Sequence, residues 1–160
     1  MNLSLKKFKH YKSMSQETMC FEAELYDGPV HLAHVRNNGE GGCHSWSDYK
    51  AQRTVDTYAR TLPDRVIGKG VAIPCDADGL VDDLTFRESL RPHLRRMLAR
   101  YMWWMSKATG EITRFANDGK YTPDLSVLRK AGSTDMGAVL NELPFEQALD
   151  IYVKSQTDQD

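Results

Sequence analysis

Cys43 and His44, with a further histidine at His34, are the residues whose types and spacing come closest to a reactive or metal-binding set. A soft thiolate with imidazoles suits zinc. A Cys43–His34 or Cys43–His44 pair would instead make a nucleophile and its base, with glycine-loop amides cradling an anion or oxyanion. The spacing matches no zinc-finger or catalytic zinc pattern, adjacent Cys and His seldom chelate one ion, and no third orienting group is recognisable. The expectation is therefore no metal, no cofactor and no assigned catalytic residue; His34, Cys43 and His44 are the set an enzyme would be built on. Beside them the loop Asn37 to Gly42 offers Asn38, Gly39, Gly41 and Gly42 as an anion-binding candidate. A tight strand-to-helix connection explains the same glycines equally well.

The second candidate is basic and aromatic. Residues 87–107 carry Arg87, Arg91, Arg95, Arg96, Arg100 and Lys107 against Glu88 alone. The stretch reads as one helix from Asp82 or Ser89 to about Lys107, with Pro92 in its first turn or kinking it. At about 100° per residue, Leu90, Leu94, Met97, Leu98, Tyr101, Trp104 and Met105 share a core face. Trp103 falls opposite, with Arg96, Arg100 and Lys107. Arginine beside an aromatic suits a phosphate and a stacked base, and the same residue types dominate protein–protein hot spots. Burial of Trp103 under a neighbouring element would leave only a solvated stripe. A formal net charge of -1 and a pI near 6.5 remove the general attraction on which nucleic-acid binders rely. Arg96, Arg100, Trp103 and Lys107 are therefore expected to contact a protein, with nucleic acid, engaged also by Lys6, Lys7 and Lys9, as the alternative.

The elements that must position these residues follow from periodicity. Leu3 to Tyr11 reads as an edge strand with outward lysines. Met19 to Tyr26 alternates, with Met19, Phe21, Ala23 and Leu25 on the apolar face. Asp27-Gly28 signals a two-residue type I′ hairpin. That register pairs Leu25 with Val30, Ala23 with Leu32, Phe21 with His34 and Glu24 with His31. It makes His31 a solvated cross-strand partner and turns His34 to the end of the core face, with Pro29 the weak point because it cannot donate to the ladder. Ser47 is the expected N-cap of a helix running to Leu62-Pro63.

Val71 to Ile73 is a connector with strand character. Asp76-Ala77-Asp78-Gly79 resembles the start of a calcium loop but lacks the late glutamate, so an acidic helix N-terminus is the reading. Ile112 to Phe115 with Asn117-Asp118-Gly119 suggests a second hairpin, Pro123 to Lys130 a short helix, and Ala138 to Leu140 a strand. A last amphipathic helix opens at Pro144, with Phe145, Ala148, Leu149, Tyr152 and Val153 on its apolar face.

Together these give an α+β fold: an antiparallel N-terminal β-meander packed by three helices, near 47–61, 85–107 and 144–154, with a second short hairpin. Its 160 residues suit a single domain over 1–155 with a polar tail at 156–160. With 41% hydrophobic and 27% charged residues, the chain is expected to fold rather than stay disordered. Three unclustered cysteines and the absence of a leader-like opening point to a reducing, cytoplasmic setting. No apolar run reaches the roughly 18–20 residues of a membrane helix.

The segments SQETMCFEAELYDGPVHLAHVRNNGEGGCHSW and VLNELPFEQALDIY resemble small accessory proteins of tailed phages and prophages, in which a strand-turn-strand leads to a V-x-N-x-G-x-G-G loop. The resemblance covers about a third of the chain and brings no activity with it. It implies a setting in the cytoplasm of a bacterial host, where such proteins bind and block a host or defence protein or nucleoprotein complex. A non-enzymatic modulator is accordingly the expected function. A nucleic-acid binder and a small metal- or Cys-dependent enzyme are the alternatives.

Overall fold

The computed structural model describes residues 1–67, 70–114 and 135–157. The chain is α+β. A four-stranded antiparallel sheet opens it, in the order β1 (Leu3–His10), β2 (Phe21–Asp27), β3 (Val30–Asn37), β4 (Ser45–Trp46). Then come α1 (Tyr49–Ala59), a two-stranded ribbon of β5 (Arg65–Ile67) and β6 (Val71–Ile73), and the long helix α2 (Ala77–Arg100). A small antiparallel sheet is centred on β7 (Trp103–Ser106), with β8 (Ile112–Arg114) on one side and β9 (Met136–Val139) on the other. The helix α3 (Phe145–Thr157) runs two residues into the expected polar tail. Two compact units result, Met1–Ser89 and Leu90–Asp160. The expected turn at Asn117-Asp118-Gly119 and helix at Pro123–Lys130 lie outside the described residues.

In the first unit the alternation of β2 is realised: Phe21, Ala23 and Leu25 are buried, against Ala33 and Val35 of β3, Val55 of α1, and Ala77 and Val81 of α2. The hairpin differs from the expected one. Its turn is Gly28-Pro29, with Asp27 paired to Val30 and Tyr26 to His31. A type I′ turn over Asp27-Gly28 would leave Pro29 inside the ladder, and Pro29 cannot take positive φ; moving the turn one residue on puts Gly28 at φ +54 in its first central position.

The ladder then shifts register, so that Leu25 faces Ala33, Glu24 faces His34 and Ala23 faces Val35. Leu32 is the extra residue of this bulge. An unbulged ladder would place His34 opposite Ala23, in the core; the bulge reverses the parity and fills those places with Ala33 and Val35. The expectation of a core-facing His34 is thus corrected.

The edge strand β1 carries a second bulge between Lys6 and Lys9, where Lys7 takes φ +51. Such an irregularity discourages pairing with a further strand. The cap of α1 also sits one residue later than expected. The Asp48 side chain accepts from the amides of Lys50 (2.7 Å) and Ala51 (3.1 Å). Ser47 instead ties β4 to β3, its Oγ accepting from His34 N at 2.9 Å and its N–H donating to His34 O. α2 starts at Ala77, earlier than the expected Asp82 or Ser89, and its N-terminus is acidic as expected: Asp76 Oδ1 accepts from Gly79 N at 2.7 Å.

In the second unit Leu94, Leu140, Ala148, Leu149 and Tyr152 form the buried core, supported by Leu90, Met97, Leu98, Trp103, Met105 and Ile112. The largest correction falls here. α2 ends at Arg100, and Trp103 to Ser106 form a strand. The stop signal comes from a distant residue: Asn141 Nδ2 donates to the carbonyls of Leu98 (2.9 Å) and Tyr101 (3.1 Å), and its Oδ1 accepts from Trp103 N (2.9 Å). One side chain thereby satisfies two carbonyls at the helix end and starts the strand. Pro92 lies well inside α2, and the helix continues despite the hydrogen bond a proline cannot make.

Candidate functional site

The helical face expected to hold Arg96, Arg100, Trp103 and Lys107 does not exist as such, because two of its four members lie on or beyond β7. Three of the four nevertheless converge. Arg96, Arg100 and Trp103 line one open groove of about 600 Å³, with His93, Met97, Tyr101, Ile112 and Tyr152. Lys107 is not among the lining residues. It follows β7 in the turn held by Asp135, whose backbone carbonyl accepts Lys107 N at 2.8 Å and whose carboxylate accepts Ser106 Oγ at 2.6 Å.

Of the expected basic stretch, only part is available to a ligand. Arg91 makes a forked contact with Glu146, at 2.5 and 3.1 Å. Arg95 lies over the Phe145 ring, 4.7 Å from its centroid. Arg96 and Arg100 are exposed, and neither has a hydrogen-bond or ion-pair partner among the described residues. Among the described residues, no carboxylate lines the groove. The described lining is therefore positive although the chain as a whole has a formal net charge of only -1.

The floor is apolar and fixed. Trp103 is half-buried, donates through Nε1 to Met97 O at 3.1 Å, and meets Tyr101 edge-on at 6.4 Å. His93 stacks on Tyr152 at 6.1 Å with an interplanar angle of 12°. Burial pushes the Tyr152 phenol above its ordinary value, so it stays neutral at physiological pH. Trp103 is a wedge of the floor before it is a contact residue. Trp103→Ala is expected to lower the free energy of unfolding by about 2 kcal/mol. Arg96→Ala is expected to stay within about 0.5 kcal/mol of the parent in the same denaturant titration.

The Cys–His set is dispersed. His34 is on the solvent face of the sheet, 39% exposed, with Nδ1 3.5 Å from Glu24 Oε1. Glu24 also takes His31 Nε2 at 2.6 Å, and that hydrogen bond is the main cause holding its carboxyl below the ordinary value. His44 lies on the other face, its side chain only 5% exposed, its ring edge-on to Phe21 at 5.2 Å. His44 Nδ1 is 3.1 Å from Asn37 Nδ2, and Nε2 is 3.1 Å from Asp82 Oδ1. That last approach lacks hydrogen-bond geometry, which leaves Nε2 without a hydrogen bond. Cys43 is exposed, and no hydrogen bond or ion pair joins it to a base among the described residues. Among those residues no group of three His, Cys, Asp or Glu is placed to hold a metal ion.

The glycine loop is a folded object in which the amides of Gly39, Glu40 and Gly41 are occupied. Gly39 N donates to Asn37 Oδ1 (2.8 Å), Glu40 N to Asn38 Oδ1 (3.3 Å) and Gly41 N to Thr18 Oγ1 (3.2 Å). Gly39 O accepts from Gln16, Glu17 and Thr18 amides. Buried Asn37 is the hub, accepting from Thr18 Oγ1 at 2.8 Å and donating to Gly42 O at 3.3 Å. Gly39 and Gly41 thus clamp the loop to the turn before β2, while Asn38 bonds to Glu40 and Gly42 O to Asn37 within the loop. Those three amides already donate within the protein, as an anion-binding nest would require them not to.

Sequence reasoning missed His93, Tyr152 and Ile112 as groove residues. Nothing local signals them, because α2 with β7, β8 and the C-terminal helix α3 converge there. Comparison with known proteins adds no template: no family model matches the chain, and no significant match was found among curated proteins or solved structures. Among the described residues no helix is long and apolar enough to cross a membrane.

Proposed function

We propose that this is a non-catalytic binding protein, of the accessory type that phages encode, which modulates a host or defence protein by docking it in the groove of the second unit. The observation that carries the reading is the pair Arg96 and Arg100 beside an apolar aromatic floor; among the described residues the two arginines are unpaired and no carboxylate joins the lining. Arginine and aromatic anchors in a concave patch are what protein interfaces concentrate. A volume of about 600 Å³ also falls within the usual range of ligand sites. Dispersal of His34, Cys43 and His44 supports binding over catalysis, since a nucleophile needs its base within hydrogen-bond reach.

Site-specific photo-crosslinking in bacterial lysate tests this. With Gln156, on the groove wall, replaced by p-benzoylphenylalanine, a discrete protein adduct is expected on irradiation. With Gln147, exposed on the same helix and absent from the groove lining, replaced instead, that adduct is expected to be missing. Equal adducts from both positions, or none from Gln156, would remove the groove from the account.

A further inference from the structure

We infer that the groove of the second unit recognises an acidic peptide segment of its protein partner, taking carboxylates on Arg96 and Arg100 and an apolar side chain against Met97, Trp103 and Ile112. This rests on the preceding reading of the groove as the recognition surface and specifies what occupies it.

Charge complementarity comes first. Two guanidinium groups stand on one wall of a groove to which the described residues contribute no acid. Guanidinium binds carboxylate through paired, charge-assisted hydrogen bonds. The arginines are four residues apart on α2, which separates them by about 6 Å along the helix axis. In an extended peptide, side chains two residues apart project to the same side at about 6.6 Å. An acidic–x–acidic segment therefore matches the two cations, and neighbouring residues of alternate parity turn toward the floor.

The floor excludes the competing reading. Nucleic acid would need a track of cations, since each neutralised phosphate adds its own increment to affinity. Among the described residues the groove offers two unengaged arginines, since Arg91 is held by Glu146 and Arg95 lies over Phe145. A stacked base would need an open aromatic face. One face of Tyr152 is covered by His93, and Trp103 is pinned through Nε1 to Met97 O. What the floor offers is an aliphatic and aromatic surface for a side chain such as Leu or Phe.

Isothermal titration calorimetry on the full chain with unlabelled peptides decides it. The probe is acetyl-Gly-Asp-Leu-Glu-Phe-Glu-Gly-amide. Controls carry lysine in place of the acids, or glycine in place of Leu and Phe, and a ten-nucleotide oligothymidylate is run beside them. Binding of the acidic probe is expected, at least tenfold weaker for either control peptide, for the oligonucleotide, and for the Arg96→Gln, Arg100→Gln double variant with unchanged circular dichroism. Absence of binding by the probe, equal binding of the lysine peptide, full retention by the double variant, or tighter binding of the oligonucleotide would each overturn the inference. If the Gln156 crosslink persists while the acidic probe fails, the acidic specificity alone falls; if both fail, the groove falls with it.

Discussion

Gly39→Ala is expected to destabilise the protein by about 2–5 kcal/mol, a large effect for one methyl group. Gly39 sits at φ +87, where a side chain is strained whatever the space around it. Space is also lacking: an added Cβ would stand 2.3 Å from the Met14 carbonyl oxygen and 2.8 Å from Cys20 Cβ. Neither neighbour is the free end of a flexible side chain. Relief would require the loop to lift away, and Gly39 O would then lose its three amide donors from Gln16, Glu17 and Thr18. Gly28→Ala provides the comparison. Gly28 also has positive φ, +54, but an added Cβ there meets nothing within 4 Å. Its cost should be confined to the left-handed backbone, about 1–2 kcal/mol. Denaturant titrations of the two variants against the parent separate clash from strain, and equal losses would mean that the loop yields easily.

That contrast also shows which parts of the fold were legible. The period-two alternation of β2 named Phe21, Ala23 and Leu25 as core, and they are buried, because face and period are local properties. Leu94, Ala148, Leu149 and Tyr152 were legible for the same reason, from helical spacing. The hairpin register was misread for a local reason as well, the priority of Pro29 over the Asp-Gly signal. The bulge at Leu32 was not legible, since only the pairing with β2 reveals an extra residue.

The end of α2 lay beyond reach of any local reading. No glycine or proline stands within the nine residues after Arg100, and the helix-terminating hydrogen bonds come from Asn141. The candidate site inherited that error. Trp103 entered it on helical geometry, yet it lines the same groove as Arg96 and Arg100 by another route, from a strand in the floor. His34 left the Cys–His set once the bulge turned it to solvent beside Glu24.

The second large effect concerns recognition. Arg96→Glu with Arg100→Glu is expected to weaken capture of the partner about a hundredfold or more, since two charge-assisted contacts become repulsive. Both side chains are exposed and neither has a partner among the described residues, so folding should tolerate the change. The Arg100 substitution removes a cation from the last turn of α2, which costs less than about 1 kcal/mol at an exposed helix end. Lys154→Glu, exposed on α3 and absent from the groove lining, reverses a single charge in the same unit and controls for charge reversal outside the groove.

The most direct measurement is the equilibrium affinity, for these three proteins, of the partner crosslinked from Gln156. The groove account predicts binding within about threefold of the parent for Lys154→Glu and a loss of at least about a hundredfold for the double reversal. A double-reversal variant that folds and binds within threefold of the parent would contradict it.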